Sequence, residues 1–160
     1  MTVSKNNKEN LRKQIALVQQ DAHLRNLSIV EGFQSVYDFS EVLFIYDHHT
    51  KAVQEGNTTG IFLDERLKVD ESIQLNKRPY LFARFGKTDT NTTTGVEGII
   101  ITDRNLQDLT KPFPAYVRES GLKFLMDKTF DKTNADKRNM PRLVEKLNKK
   151  LKKYSDSLQG

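Results

Sequence analysis

Apolar residues recur every three to four positions near the start of the chain. Leu11, Ile15, Val18 and Ala22 share one stripe that ends at Arg25, with Leu17 and Leu24 beside it. That spacing predicts an amphipathic helix from about Lys8 to Asn26. Ser28-Ile29-Val30-Glu31 then has the form of a capping box, which predicts a second short helix through Phe33 and Val36. Gly32 counts against helix there, because glycine gives up more backbone freedom than any other residue.

The pattern changes in the middle of the chain. Glu41–Tyr46, Gly60–Leu63, Pro79–Phe85 and Val96–Thr102 are short runs dense in β-branched and aromatic residues, and polar or glycine-containing segments close each of them. They predict four strands. Pro79 stands at the first position of its run, where a strand tolerates a missing N–H. The runs follow one another too closely for a helix in every gap, so an antiparallel or mixed sheet is expected. The polar segment Gly86–Gly95 has nothing to bury and predicts a mobile hairpin connection. Residues 115–130, with Tyr116, Phe124, Leu125 and Phe130, fit either a helix or a further hairpin around Gly121.

From about Asn139 to Leu158 a helix is expected, with Pro141 in its first turn. Met140, Leu143, Val144, Leu147, Leu151 and Tyr154 form its apolar seam, and Lys146, Lys149, Lys150, Lys152 and Lys153 fill the remainder. The fold class that follows is α+β: N-terminal helices, a bent antiparallel sheet or partly open barrel of about five to seven strands, and a C-terminal amphipathic helix packed on the sheet. With 160 residues, no repeats and no domain linker, 1–160 reads as a single domain with 1–10 and 156–160 as mobile ends.

Charge sharpens this picture at one place. The net charge is +5, yet residues 136–160 hold eight Lys/Arg against three Asp/Glu, which leaves 18 of each in residues 1–135. The whole excess therefore sits in one C-terminal element. The five lysines of the expected helix are the candidate polyanion-binding residues, since lysines release counterions from a phosphate backbone. On the sequence alone no aromatic or arginine interleaves with them to stack on bases. The competing reading is a solvated face whose lysines complement the helix dipole.

The absence of cysteine excludes disulfides and thiol chemistry. The polar residues 1–10 do not form a signal peptide, and no apolar run is long enough to span a bilayer, so a cytoplasmic location is expected. Gly86-Lys87-Thr88 lacks the earlier glycine of a phosphate loop, and no nucleophile elbow or helical His-Glu-His arrangement occurs. No cofactor is called for and an enzyme is not expected. The acid-rich stretch Asp64–Glu71 reads as a solvated loop or edge strand.

Two motifs carry resemblances. Asp47-His48-His49, directly after an apolar run, resembles the Asp-His-His motif of the DHH phosphoesterases, and would make these three residues ligands of a divalent metal in a metal-dependent phosphoesterase. Adjacent histidines on an extended chain, however, point to opposite faces. Gly98-Ile99-Ile100-Ile101-Thr102-Asp103-Arg104-Asn105-Leu106 resembles the central hairpin of bacterial pleckstrin-homology-like domains: a glycine, apolar residues, Thr-Asp, a basic residue and a closing apolar residue. That resemblance implies a buried strand, a tight turn and a returning strand. It also implies a non-catalytic binding or assembly module, without fixing the ligand. The function expected is a bacterial or mobile-element interaction module that binds another protein or a second copy of itself. Nucleic-acid binding through the C-terminal lysines is the alternative.

Overall fold

A computed structural model describes residues 2–87, 97–119, 126, 129 and 132–160. In chain order they form helix α1 (Thr2–Val36), strand β1 (Phe44–Ile45), a 3-10 turn (Asp47–His49), helix α2 (Thr50–Gln54), strands β2 (Phe62–Leu63), β3 (Phe82–Lys87), β4 (Glu97–Thr102) and β5 (Tyr116–Arg118), and helix α3 (Lys132–Gln159). The class is α+β, as the pattern predicts. The strands make two antiparallel sheets and no closed barrel: β1 pairs with β2, and the second sheet has the order β3-β4-β5. Of the expected connection Gly86–Gly95, Gly86 and Lys87 belong to β3 and the rest lies outside the described residues, as do Gly121, Phe124, Leu125 and Phe130.

The two helices expected at the N-terminus are one. Ser28 is buried, and its hydroxyl donates to the Leu24 carbonyl one turn back, 3.0 Å away, instead of capping a new helix. Gly32 lies where α1 meets α3: a Cβ there would stand 2.9 Å from Met140 Cγ and 3.3 Å from the Met140 carbonyl carbon. The glycine that weakens the helix locally is what lets the second helix approach. α3 also starts earlier than the seam predicts, at Lys132, so Pro141 falls inside the helix and not in its first turn. The ring removes one i→i−4 hydrogen bond there.

The main core lies between these two helices and the three-stranded sheet. Phe33 from α1 meets Ile99, Ile101 and Val117 from the sheet and Met140, Leu143, Val144, Leu147 and Leu151 from α3. Side-chain alternation on β2 then separates two satellite clusters. Leu63 packs with Val30 of α1 and with Leu67, while Phe62 packs on the other side with Ile61 and Val53 of α2.

α1 ends under a buried side chain of α3. The Asn148 amide donates to the Val36 carbonyl at 3.2 Å and to Asp38 Oδ1 at 2.7 Å, and its oxygen accepts from the Asp38 N–H. These bonds satisfy backbone groups that a helix end leaves without partners. Lys152 adds an ion pair to Asp38 at 2.7 Å. The Lys152 bond first, and the Asn148 bond second, hold the Asp38 carboxyl below its usual range.

Candidate functional site

β5 is an edge strand, held on one side by β4 through the pairs Gly98↔Arg118, Ile99↔Val117 and Ile100↔Tyr116. The approach is close because residue 98 is glycine: a Cβ there would lie 2.2 Å from the Val117 carbonyl oxygen. The other side of β5 faces α3, and the space between them is an open groove of about 510 Å³ lined by Tyr116, Val117, Arg118, Lys146, Lys149 and Lys150. Alternation along β5 buries Val117 in the core and turns Tyr116 and Arg118 outward.

Within the groove the tyrosine ring is flanked by two cations. The Arg118 guanidinium carbon lies 5.1 Å from the ring centroid and the Lys150 ammonium 5.9 Å from it. Lys150 also donates to the Tyr116 carbonyl at 3.4 Å. Lys149 is paired with Glu145 at 2.6 Å, one turn back on α3. Lys153 continues the same helical face past Lys149 and Lys150. Lys152 lies off that face and pairs with Asp38. The five predicted lysines thus divide: three line the groove, one extends its face and one fastens α3 to the end of α1.

Sequence reasoning missed Tyr116 and Arg118. Both lie in the stretch whose structure stayed ambiguous, some thirty positions before the lysines. The absence of an interleaved aromatic or arginine holds for α3 by itself and is corrected once β5 is laid against it.

The second notable surface belongs to α1. Every residue from 7 to 24 is exposed. Leu11, Ile15 and Val18 are 56%, 48% and 67% exposed, although they continue the stripe that buries Phe33 further along the same helix. Leu11, Ile15, Val18 and Ala22 are spaced four, three and four apart, the alternation of a coiled-coil seam. The stripe goes under cover at Arg25, whose Nε bonds Asp136 at 2.9 Å and whose Nη1 lies 3.9 Å from Glu97. Burial works to lower the Arg25 pKa, but Asp136, Glu97 and Glu119 together raise it above its ordinary value. Two carboxylates therefore lie against one guanidinium at the base of the exposed segment, and Glu119 adds to their field.

The Asp-His-His segment is a 3-10 turn and not the end of an extended strand, so the expectation of opposite faces is corrected. The two imidazole rings lie 4.1 Å apart, and His48 stacks on Tyr46. Among the described residues no group of three His, Cys, Asp or Glu side chains is arranged to hold a metal. The two aspartates of the acid-rich stretch serve turns. Asp64 Oδ1 accepts from the Arg66 and Lys68 N–H groups, and Asp70 Oδ1 from the Ser72 hydroxyl and N–H, which hold the Asp70 carboxyl below its usual range.

No family model, no curated protein and no solved structure matches this chain. No described helix is long and apolar enough to cross a membrane.

Proposed function

We propose that the chain is a non-catalytic assembly module that joins a second copy of itself through α1. The observation that carries this reading is the exposed seam Leu11, Ile15, Val18 and Ala22 on a helix whose C-terminal third is anchored in the core. Water around three large aliphatic side chains is unfavourable, and a second helix with the same spacing removes it by knobs-into-holes packing.

Three features favour the chain itself as the occupant. Residues 7–24 carry Lys8, Arg12 and Lys13 against Glu9 and Asp21, so two copies meet with little net repulsion. An antiparallel pair sets Leu11 against Ala22 and Ile15 against Val18, which matches large with small in the outer layers. In that arrangement Lys8 of each copy arrives beside the carboxylates around Arg25 of the other. Four layers bury less than the ~800 Å² per partner of a standard interface. The dissociation constant is then expected in the range of about 10 μM to about 1 mM.

Sedimentation equilibrium across that range tests the proposal. Dimer should form, and Ile15→Asp with Val18→Asp should leave monomer throughout. The cysteine-free background allows a second readout. A mixture of the Leu11→Cys and Ala22→Cys variants should cross-link between copies under oxidation, whereas Leu11→Cys alone should not. A wild-type chain that stays monomeric at the top of the range overturns the reading.

A further inference from the structure

The groove between β5 and α3 is independent of the α1 seam, and we propose that it binds single-stranded nucleic acid, with a base stacked on Tyr116 and the flanking phosphates held by Arg118, Lys146, Lys149 and Lys150. Three observations converge on this ligand.

The first is charge placed in a concave site. Four of the six lining residues are cationic and none is acidic. Glu145 pairs with Lys149 from outside the groove, at 2.6 Å. A chain of phosphates satisfies such a cluster better than water does, because binding releases condensed counterions.

The second is the tyrosine. The residue lines the groove and is 45% exposed, next to cations that fix it by cation–π contact and by the bond from Lys150 to its carbonyl. An exposed ring already held in place by Arg118 and Lys150 has little side-chain entropy to lose when a base stacks on it. A base within a duplex has both faces stacked and cannot use that platform. An unpaired strand can.

The third is size. A volume of about 510 Å³ lies within the usual range for small-molecule sites and accommodates a nucleotide. From Lys146 to Lys153, α3 rises ~10 Å. The cationic track therefore spans a few nucleotides, so the strand enters and leaves along α3 instead of ending in a closed pocket.

Fluorescence anisotropy with a labelled oligothymidylate, the same-length duplex and poly-glutamate as separate probes tests the assignment. The oligothymidylate should bind most tightly. Its affinity should fall with salt at a log–log slope of about −3, the value for four phosphate contacts on a single strand. Tyr116→Leu should weaken the single strand by about 5-fold or more and leave the duplex unchanged, since one base–aromatic stack contributes on the order of 1–3 kcal/mol. Tyr116→Phe should restore most of it. Lys150→Gln and Arg118→Gln should each flatten the salt slope by about 0.7. Lys152→Gln, whose lysine serves Asp38, should leave the slope as it is. All these side chains are on the surface, so unchanged thermal melting separates lost binding from lost fold. No binding at low salt overturns the proposal. So does equal binding of oligothymidylate and poly-glutamate with no effect of Tyr116→Leu, which would make the groove a site for acidic peptides.

Discussion

Asp103 and Asp64 do the same work at two places in the chain. Asp103 Oδ1 accepts from the N–H groups of Asn105 and Gln107, and Asp64 Oδ1 from those of Arg66 and Lys68, all at 2.8–2.9 Å. Each aspartate is followed at the third position by a leucine with positive φ, 63° at Leu106 and 62° at Leu67. Each turn is closed beyond it by an isolated bridge, Thr102↔Asp108 and Leu63↔Val69. The turn after Gly98–Thr102 was legible, because Thr-Asp after an apolar run is a strong turn signal. The first copy was hidden by its composition. Asp64-Glu65-Arg66-Leu67-Lys68 reads as mixed charge, and only backbone geometry shows that its leucine occupies the same unusual conformation. The two leucines differ in what offsets that strain. Leu67 is buried against Val30 and Leu63, whereas Leu106 is 46% exposed and has no such packing. Leu106→Gly should therefore stabilise the protein, or at worst leave it unchanged, by up to ~1 kcal/mol, because glycine enters that region without steric cost. Leu67→Gly should destabilise it by about 2–4 kcal/mol, since the lost burial outweighs the relieved backbone. Urea denaturation of the two variants checks both signs.

At the scale of elements, periodicity located the two long helices and misjudged their ends, and it gave no sign of the short α2. The stripe from Leu11 to Arg25 continues through Ile29, Phe33 and Val36 without a break, which is why α1 is one helix of 35 residues. The capping-box reading failed because Ser28 has two uses for its hydroxyl, and burial selects the bond to Leu24. Pro141 misplaced the start of α3 by the same logic: proline prefers a first turn, but tertiary packing carries it inside a helix whose flanking residues Met140 and Leu143 are almost fully buried. Gly32 shows the reverse case, an apparent defect explained by its neighbour. On propensity alone, Gly32→Ala should strengthen α1 by about 1 kcal/mol. The 2.9 Å approach of Met140 Cγ predicts the opposite sign, a loss of about 1–3 kcal/mol as α1 and α3 are forced apart. The double variant Gly32→Ala/Met140→Ala should recover part of the crowding loss but pay for a cavity, so a thermal-melting cycle on the two sites should show strong non-additivity. Additivity would mean that the helices do not meet there.

The whole molecule brings together what the sequence keeps apart. The α+β class, the sheet-forming runs and the lysine face were readable because each rests on local pattern. The groove was not, because its two walls are β5 and α3, and nothing within 116–118 or 146–150 announces that they meet. What joins them is β4, which holds β5 at a distance only Gly98 permits. Adding a methyl group at residue 98 should therefore act on the groove from outside it. Gly98→Ala places a Cβ 2.2 Å from the Val117 carbonyl oxygen and 3.1 Å from Arg118 Cα, both backbone atoms with no rotamer to yield. β5 must shift, at about 1–3 kcal/mol or more, and it carries Tyr116 and Arg118 away from the lysines. Gly86→Ala is the matched control. Residue 86 pairs with residue 98 across the sheet, and among the described residues a Cβ there meets only the movable end of Arg84 at 3.0 Å. It should be nearly neutral, or slightly stabilising from reduced chain entropy. If the walls act as one site, Gly98→Ala should weaken oligothymidylate binding under conditions where the chain remains folded, while the α1 seam still associates, because residues 7–24 lie outside the core that the shift disturbs. A Gly98→Ala protein as stable as the Gly86→Ala protein, with binding intact, would show that β5 does not lie beside β4 in this register, and the groove would lose one of its walls.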